Sequence, residues 1–340
     1  MDENIIRSLL ATLEEHHRLG IAEQIDYQKF YLYSIITHST AIEGSTVTEI
    51  ENQLLFDEGI AAKGRTMVEQ LMNLDLKAAY EETMRMAAKH ISFSTEMLQS
   101  LSALVMKNTG SKYSTLSGMF DSSKGELRKV NVTAGIGGRS YLNFLKVPSR
   151  LADFCQNMNE RQEQLKDNDD IIAQYALSFD AHNLLVAIHP WVDGNGRMSR
   201  LVMNYIQMEY GLVPTKVLKD DRAEYIQALV DAREQDSLEP FRNFMFRTHL
   251  RNLQQEIAAY KQSIEDDVTI PEVEPLHVVK DVVKEILAIL KAQPESTAAS
   301  IAERVHLSSR QVQRILARLQ KDGSIMRHGG RKEGYWEVII

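Results

Sequence analysis

The stretch HPWVDGNGRMSR, residues 189–200, decides how the middle of the chain folds. Apolar residues at helical spacing precede it, and Pro190 ends that helix because proline has no backbone N–H group to donate. A second helix is predicted to begin at about Asn195, which leaves a short loop between the two helices. The backbone N–H groups of Gly194, Asn195 and Gly196 would then point out of a helix N-terminus. Such groups, together with the positive end of the helix dipole, predict an anion-binding site.

Two arginines, Arg197 and Arg200, follow this loop about one helical turn apart on one face. Cations at a helix N-terminus are unfavourable unless an anion lies among them, so the pattern predicts a bound polyphosphate. Asp193 offers a hard oxygen ligand for Mg²⁺, and His189 is able to take the proton from an attacking hydroxyl near neutral pH. The sequence contains no P-loop or kinase-like glycine motif, which predicts a different nucleotide-handling fold.

The composition is that of a globular protein, with 44% hydrophobic and 25% charged residues in a chain of 340, and it predicts two or three domains. The N-terminus is charged from its second residue and lacks an uninterrupted apolar run. We therefore expect neither a signal peptide nor a membrane span, and a cytoplasmic location. The one cysteine, Cys155, has no partner for an internal disulfide and is interpreted as a packing residue.

Charge is divided unevenly along the chain. Residues 276–340 hold 11 Lys and Arg residues against 7 Asp and Glu residues, a net charge of +4, whereas the whole chain carries −8. Between the acidic body and this basic tail, residues 263–275 contain two prolines and a run of acids, and helical periodicity is lost. We predict a first domain over residues 1–262, a linker over residues 263–275 and a second domain over residues 276–340.

Helical spacing dominates the first domain, so the predicted fold is mainly α. The helix that contains EIENQLLF is predicted to start with a capping box, Thr46-x-x-Glu49. Residues 127–148 break the helical pattern, because strand-like valines precede a glycine-rich turn at 135–138, and this predicts a β-hairpin. The exposed edge of such a hairpin is able to hold an extended target segment by main-chain pairing.

The second domain has the pattern of a winged helix-turn-helix, with three helices followed by two strands around a tight turn at 329–330. Its third helix and wing carry side chains suited to phosphate and base-edge contacts: Arg310, Gln311, Gln313, Arg314, Arg318, Arg327, Arg331 and Lys332. The net charge is only +4 and many such folds serve protein contacts. DNA binding and protein binding therefore both stay open.

Residues 189–200 resemble the HPFx[D/E]GNGRxxR signature of the Fic family (filamentation induced by cAMP), with Trp191 in place of the usual Phe. The resemblance extends over roughly residues 30–250 and includes the predicted hairpin, which corresponds to the family's flap. It implies a Fic-type helical domain that transfers AMP from ATP to a Ser, Thr or Tyr hydroxyl of a protein target.

Carried over position by position, the resemblance implies that His189 is the general base acting on the target hydroxyl. Asp193 would hold Mg²⁺ against the α- and β-phosphates of ATP. Arg197 would contact the β-phosphate region and Arg200 the γ-phosphate. The anion hole would be formed by three consecutive residues, Gly194, Asn195 and Gly196.

A downstream segment, residues 221–244, resembles the family's tyrosine-containing segment that ends in Pro-Phe. In this alignment Tyr225 looks like an adenine-pocket residue. Eight residues later this chain has Arg233, where relatives often have an asparagine. The resemblance therefore defines the choice of nucleobase less well than it defines phosphate binding.

An upstream segment, STAIEG at residues 39–44, resembles the family's inhibitory (S/T)xxxE(G/N) helix through Ser39, Glu43 and Gly44. The resemblance implies that Glu43 forms an ion pair with Arg200 and so removes the partner of the γ-phosphate. Its position ahead of the main motif matches the subclass that carries the inhibitory helix in the N-terminal part of the same chain.

Three functions are consistent with these features. The first is an autoinhibited protein adenylyltransferase that uses ATP and Mg²⁺ and whose tail recruits a target or supports a homodimer. The second is a DNA-binding regulator in which the Fic half senses nucleotide, although an intact His189 favours the enzyme. The third is removal of AMP from a modified protein, with Glu43 positioning a water molecule.

Overall fold

The computed structural model describes residues 3–134, 138–166, 168–268, 277–305, 312–313, 315–316, 319–320, 324–328 and 334–339. The chain divides into two compact units, Met1–Tyr260 and Lys261–Ile340. Most of the described residues are helical, as predicted.

The first unit is built from helices and one short antiparallel hairpin. Its helices are α1 (Glu3–Arg18), α2 (Tyr27–Ile42), α3 (Glu49–Glu58), α4 (Met67–Ala87), α5 (Thr95–Val105), α6 (Val147–Leu165), α7 (Ile171–Ile188), α8 (Asn195–Glu209), α9 (Arg222–Glu234) and α10 (Glu239–Val268), of which α10 continues into the second unit. The hairpin strands are β1 (Lys112–Thr115) and β2 (Gly118–Asp121).

The motif lies at the junction of α7 and α8, and α7 ends and α8 begins where the sequence predicts. α7 stops at Ile188, and His189 takes a left-handed conformation with φ 51° directly before Pro190. Gly194 is also left-handed, with φ 80°, and α8 begins at Asn195. The two left-handed residues reverse the chain between the helices, so the loop lies in front of the N-terminus of α8.

Two hydrophobic clusters share this helix pair and place it at the centre of the first unit. One cluster joins it to α2, α4, α5 and α6 and includes Leu177 and Leu201, and the other joins it to α1, α9 and α10 and includes Phe179 and Met203. Among the described residues α7 is the one helix long and apolar enough to cross a membrane, a test that the core helix of a globular protein also passes. Burial on two sides fixes the positions of the motif side chains.

The predicted capping box at α3 is two residues out of register. The structure has it at Thr48 and Glu51, where the Thr48 side chain accepts from the Glu51 N–H and the Glu51 carboxylate accepts from the Thr48 N–H. Thr46 instead donates its N–H and hydroxyl to Glu69 on α4, at 2.7 and 2.6 Å. Thr46, which the local pattern assigned to the cap of α3, is therefore used in a tertiary contact with α4.

The segment predicted as a hairpin, residues 127–148, pairs over a short distance only. The Ala134 N–H donates to the Arg139 carbonyl at 3.1 Å and the Tyr141 N–H donates to the Val132 carbonyl at 3.0 Å, around one antiparallel bridge. The glycine-rich turn lies partly outside the described residues. Regular strands occur just upstream, in β1 and β2, which the sequence patterns did not predict.

The second unit packs two described helices and two strands around its own hydrophobic cluster. The elements are α11 (His277–Ala292), α12 (Ala298–Arg304), β3 (Ile325–His328) and the antiparallel β4 (Tyr335–Val338). Parts of the predicted third helix are described at 312–313, 315–316 and 319–320 and are helical; Val312 and Leu316 join the cluster. Arg310, Gln311, Arg314, Arg318, Arg331 and Lys332 and the turn at 329–330 lie outside the described residues.

The proposed linker, residues 263–275, is described only in its first part. α10 continues through Val268, so those residues are helical, and residues 269–276 lie outside the described part of the chain. The domain boundaries drawn from the sequence stay a prediction. They lie close to the division between the two units at Tyr260.

Candidate active site

The loop before α8 is closed by its own side chains. The Trp191 N–H donates to Asn195 Oδ1 at 3.1 Å, and Asn195 Nδ2 donates to the Trp191 carbonyl at 2.9 Å. Asp193 Oδ1 accepts from the Gly194 N–H at 2.6 Å. A Cβ at Gly194 would lie 2.7 Å from the Met106 sulfur. The Asn195 side chain and the Gly194 N–H therefore shape the loop, and the backbone N–H groups of Asn195 and Gly196 are left for an anion.

His189 presents a neutral ring at the end of α7. Its Nδ1 lies 3.3 Å from the Val186 carbonyl oxygen, which can only accept, so we assign the proton to Nδ1 and a free lone pair to Nε2. The ring stacks on Tyr141 with a centroid distance of 3.7 Å and an angle of 15° between the planes. Burial lowers the pKa of the imidazole to about 4, against a smaller raising effect of the Val186 contact. The ring is therefore an unprotonated base at neutral pH.

Arg128, which the sequence reasoning missed, holds the loop and both arms of the flap together. Its Nε donates to the His189 carbonyl and its Nη1 to the Val130 carbonyl, each at 2.7 Å, and its Nη2 donates to the Leu142 carbonyl. Its backbone N–H donates to the Pro190 carbonyl at 3.1 Å. The side chain is 2% exposed. Because two flap carbonyls are taken by this guanidinium, they are not available for a longer strand ladder, and the predicted hairpin stays short.

Arg200 lies buried on α8 and contacts the end of α2. Its Nη2 donates to Glu43 Oε1 at 2.7 Å and to the Ser39 carbonyl at 2.9 Å, and its Nε donates to Ser39 Oγ at 2.8 Å. Its Nη1 donates to the Tyr225 hydroxyl at 3.2 Å. The ion pair implied by the resemblance is therefore present, and Ser39 contributes two further contacts to the same guanidinium.

Glu43 brings its carboxylate to the N-terminus of α8. A Cβ built on Gly196 would lie 2.4 Å from Glu43 Oε1 and 3.1 Å from Arg200 Nη1, so the carboxylate occupies space that only a glycine leaves free. Burial raises the pKa of the Glu43 carboxyl, but the attraction of Arg200 and its hydrogen bond outweigh burial and lower the pKa below its usual value. Glu43 is therefore the charged group over the predicted anion site.

Arg197 points into the protein interior. Its Nη1 donates to the Val105 carbonyl at 3.4 Å, and its Nη2 lies 3.3 Å from the Met106 sulfur and 3.8 Å from Asp193 Oδ1. Its Nε is buried and has no hydrogen-bond partner among the described residues. Burial lowers the pKa of this guanidinium. A phosphate oxygen near Arg197 would complete the hydrogen bonding that the protein leaves incomplete.

Tyr225 lies behind Arg200, in a hydrophobic cluster, and is 2% exposed. Its hydroxyl accepts from Arg200 and lies 3.0 Å from Nε2 of His182, a buried residue of α7. Since arginine only donates, the Tyr225 hydroxyl is free to donate its proton to His182. Its assignment to an adenine pocket stays a prediction, and the contacts of its hydroxyl are with Arg200 and His182.

A cavity of about 350 Å³ lies between α7, α9 and the flap. Arg233, the residue that departs from the family pattern, lines it together with Tyr141, Leu229 and Val230. Tyr141 also stacks on His189, so the cavity adjoins the proposed base. The lining is mainly apolar and has two charged residues, Arg233 and Asp236, and one aromatic ring, which is typical of a pocket for a small molecule.

The donors near the motif fit a magnesium ion held mainly by substrate. The described residues contain no group of three or more His, Cys, Asp or Glu side chains that could hold a metal by themselves. Asp193 has a side chain that is 65% exposed and supplies one carboxylate beside the anion site. Mg²⁺ at nucleotide sites is commonly bound by one or two carboxylates plus phosphate oxygens and water, so this set suits it.

Comparison with known proteins gives two family matches. Residues 92–207 match the model of the Fic/DOC family, and residues 281–326 match a winged helix-turn-helix DNA-binding model. The "Protein adenylyltransferase Fic" of Drosophila grimshawi is 30% identical over 213 residues, which cover 62% of this chain and 40% of that protein. The "Protein adenylyltransferase fic-1" of Caenorhabditis elegans is 24% identical over 268 residues, covering 77% and 49%. The chain thus spans less than half the length of these curated relatives.

Solved structures show the same fold. The C. elegans Fic-1 structure superposes with a TM-score of 0.59 at 23% identity, covering 76% of this chain and 72% of that one. A Fic family protein from Desulfovibrio desulfuricans has a TM-score of 0.59 at 18% identity and covers 99% and 96%. The motif loop and Arg200 lie within the residues that match the Fic/DOC model, whereas Glu43 lies ahead of them. The chain therefore contains a Fic domain, and residues 281–326 after it match a winged helix-turn-helix model.

Proposed function

We propose that this protein is an adenylyltransferase that moves AMP from ATP to a hydroxyl of a protein target and that its own Glu43 inhibits it. The observation that carries the proposal is the position of Glu43. Its carboxylate is bonded to Arg200 at 2.7 Å over the N-terminus of α8, where the fold provides for an anion. A carboxylate that occupies a phosphate site from within the chain acts as an inhibitor of that site.

In the reaction the target hydroxyl oxygen attacks the α-phosphorus of ATP. The bond between the α-phosphorus and the bridging oxygen breaks, pyrophosphate leaves, and His189 Nε2 accepts the hydroxyl proton. The pKa of about 4 applies to the ring beside Arg128 and without substrate. Phosphate anions nearby favour the protonated ring and so raise its pKa toward the value that a base needs.

The remaining motif residues bind and orient the triphosphate. The backbone N–H groups of Asn195 and Gly196 and the unfilled Nε of Arg197 would contact phosphate oxygens, and Arg200 would contact the γ-phosphate once Glu43 has left. The Gly194 N–H, which the sequence placed in the anion hole, instead donates to Asp193. Asp193 would hold Mg²⁺, which supplies neutralisation of the phosphate charge. Arg128 keeps the His189 backbone in place throughout, because its hydrogen bond to that carbonyl does not involve substrate.

The position of the label in ATP tests this reaction. The Glu43→Gly variant is incubated with a cell extract and with ATP labelled on the α- or the γ-phosphate, and GTP serves as the alternative nucleotide. Protein labelled from α-labelled ATP alone supports AMP transfer. Label from the γ-phosphate would mean phosphoryl transfer, and binding without any label would favour the nucleotide sensor. The Asp193→Ala variant is expected to weaken the Mg²⁺-dependent binding of ATP.

A second proposal concerns the C-terminal module, and the match of residues 281–326 to a DNA-binding family favours it. We propose that residues 276–340 bind DNA as a separate function of the chain. A mobility-shift assay at low salt should show a complex that weakens steeply as salt increases. Absence of a shift at low salt would indicate that the module contacts protein.

A further inference from the structure

The segment beside the candidate site has an unusual charge. Residues 107–150 hold eight Lys and Arg residues against two Asp and Glu residues, in a chain whose net charge is −8. Of the two acids, Asp121 is buried and Glu126 is half-buried and accepts from the Asp121 N–H. Seven of the basic side chains are exposed: Lys107, Lys112, Lys124, Lys129, Arg139, Lys146 and Arg150. We call this exposed set, with the apolar residues between its members, the basic flap surface.

Large apolar side chains stand among these cations. Leu116 at the tip of the β1–β2 hairpin is fully exposed, and Met119 and Leu145 are each 75% exposed. These three are the most exposed Leu and Met side chains among the described residues, and they gain nothing from packing. Exposed apolar residues within a charged rim mark a surface for a partner.

Hydrogen bonds join the parts of this surface. Lys129 Nζ donates to the Met119 carbonyl at 2.8 Å, which ties β2 to the start of the flap. The Phe144 N–H donates to Asn131 Oδ1 at 3.0 Å, which ties the two ends of the flap to each other. The hairpin, the flap and the turn before α6 therefore form one continuous surface.

The same surface is attached to the motif loop. Arg128 bonds to the His189 carbonyl at 2.7 Å, and the Trp191 indole N–H donates to the Gly125 carbonyl at 3.0 Å. Tyr141, between the two flap arms and α7, stacks on the His189 ring. A chain bound along the basic flap surface would therefore pass close to the proposed base.

We propose that the basic flap surface docks an acidic, leucine-containing segment of the target protein next to the acceptor hydroxyl and thereby selects targets. This inference rests on the proposed AMP transfer. The charge argues for an acidic occupant, because six of the seven exposed cations form no ion pair with a described residue, and Arg150 pairs with Asp153 at 3.6 Å. Leu116, Met119 and Leu145 favour a polypeptide, since the leucine side chains of a peptide can be buried against them.

The test uses two synthetic 20-residue peptides, each with one Thr and one Tyr. In the first the flanking residues are Asp, Glu and Leu, and in the second they are Lys, Arg and Leu. Binding is measured by fluorescence anisotropy and AMP transfer by label from α-labelled ATP, in the Glu43→Gly background. We expect the acidic peptide to bind at least tenfold more tightly at low salt, with the difference shrinking as salt rises.

Charge-reversed variants locate the binding. Lys112→Glu with Lys146→Glu should raise the KM for the acidic peptide about tenfold and leave kcat unchanged, because the two lysines act on docking and not on chemistry. The matched control, Lys63→Glu with Lys89→Glu, makes the same charge change at exposed lysines in the turns before and after α4 and should leave KM unchanged. Thermal unfolding of both double variants checks that each is folded.

The outcomes separate the two proposals. Equal binding of both peptides, or an equal rise of KM in the control variant, would overturn the docking surface. A dT20 oligonucleotide that binds more tightly than the acidic peptide and is lost in the Lys112/Lys146 variant would assign the surface to nucleic acid. If anisotropy follows the expected pattern but no protein or peptide is ever labelled, the surface stands and the proposed transfer fails.

Discussion

Two arginines, Arg128 and Arg200, are both buried near the motif, but their partners differ in kind. Arg200 bonds to the carboxylate of Glu43 and to Ser39, whereas Arg128 bonds only to backbone carbonyls, of which that of His189 is one. Both are at most 3% exposed, so each needs its hydrogen bonds to offset the loss of water.

The difference separates a fixed part of the site from an exchangeable one. Backbone carbonyls cannot leave Arg128 unless the flap unfolds, so this cluster holds one geometry. A side-chain carboxylate can rotate away from Arg200 and be replaced by a phosphate, which carries more charge and more acceptor oxygens. Arg128 therefore supports the proposed base, and Arg200 is where the proposed inhibition would act.

The strongest test of the fixed part removes the base that Arg128 supports. His189→Ala is expected to reduce AMP transfer about 10²- to 10⁴-fold in the Glu43→Gly background, because no other side chain takes the hydroxyl proton. Nucleotide binding measured by calorimetry should persist. An unchanged transfer rate would refute the role of His189. In the parent without nucleotide, NMR titration should place the imidazole pKa near 4, below its ordinary 6.5.

The exchangeable part is tested by Glu43→Gly. Losing a charge-assisted hydrogen bond to Arg200 should raise AMP transfer about tenfold to a hundredfold, since such a bond contributes about 1.5–3 kcal/mol. Arg200→Ala in the same background should abolish the gain, because the same guanidinium forms the inhibitory ion pair and is proposed to bind the γ-phosphate. Transfer by Glu43→Gly at the parental rate would show that Glu43 is an ordinary helix end.

The ion pair between Glu43 and Arg200 should depend on pH in a definite direction. The Glu43 pKa is lowered in the fold, so the pair contributes fully above the unfolded carboxyl value of 4.5 and weakens as the pH falls through the lower folded value. Inhibition should thus be constant between about pH 6 and 8. Rates of parent and Glu43→Gly across that range give the ratio directly.

A smaller effect is expected when Arg128 is replaced conservatively. Lysine has one ammonium group and cannot reach three carbonyls in the geometry of a guanidinium, so Arg128→Lys should cost about 2–3 kcal/mol of unfolding free energy and reduce transfer about tenfold. Urea denaturation and steady-state kinetics measure the two quantities. The matched change at an exposed site away from the flap, Arg85→Lys, should alter neither. An Arg128→Lys variant as stable and active as the parent would contradict the fixed role.

The smallest effect is expected at Tyr225, and it distinguishes two roles. Tyr225→Phe removes a hydroxyl that bonds to Arg200, which should weaken ATP binding about fivefold. If the residue acts through Arg200, binding of ADP should hardly change, because ADP has no γ-phosphate. An equal loss for ATP and ADP would instead support the adenine-pocket assignment made from the sequence.

The sequence predicts best what is local. Pro190 predicts the end of α7, and Gly194 predicts the start of α8. The ion pair between Glu43 and Arg200 follows from the resemblance of both segments to family motifs. Arg128 could not be predicted, because its contact with His189 joins side chain to backbone across 61 residues and leaves no periodic pattern. The same holds for the capping of α3, where Thr46 is drawn to Glu69 on another helix.

Gly196 has no Cβ, the atom that would collide with the Glu43 carboxylate, and this has a genetic consequence. Any side chain added there would expel Glu43, but it would also fill the place in which a phosphate is proposed to bind. Substitutions at 196 are therefore expected to abolish activity even though they disrupt the ion pair between Glu43 and Arg200. A screen for hyperactive alleles should therefore recover substitutions at Glu43 and at its supporting contacts on α2, and none at 196.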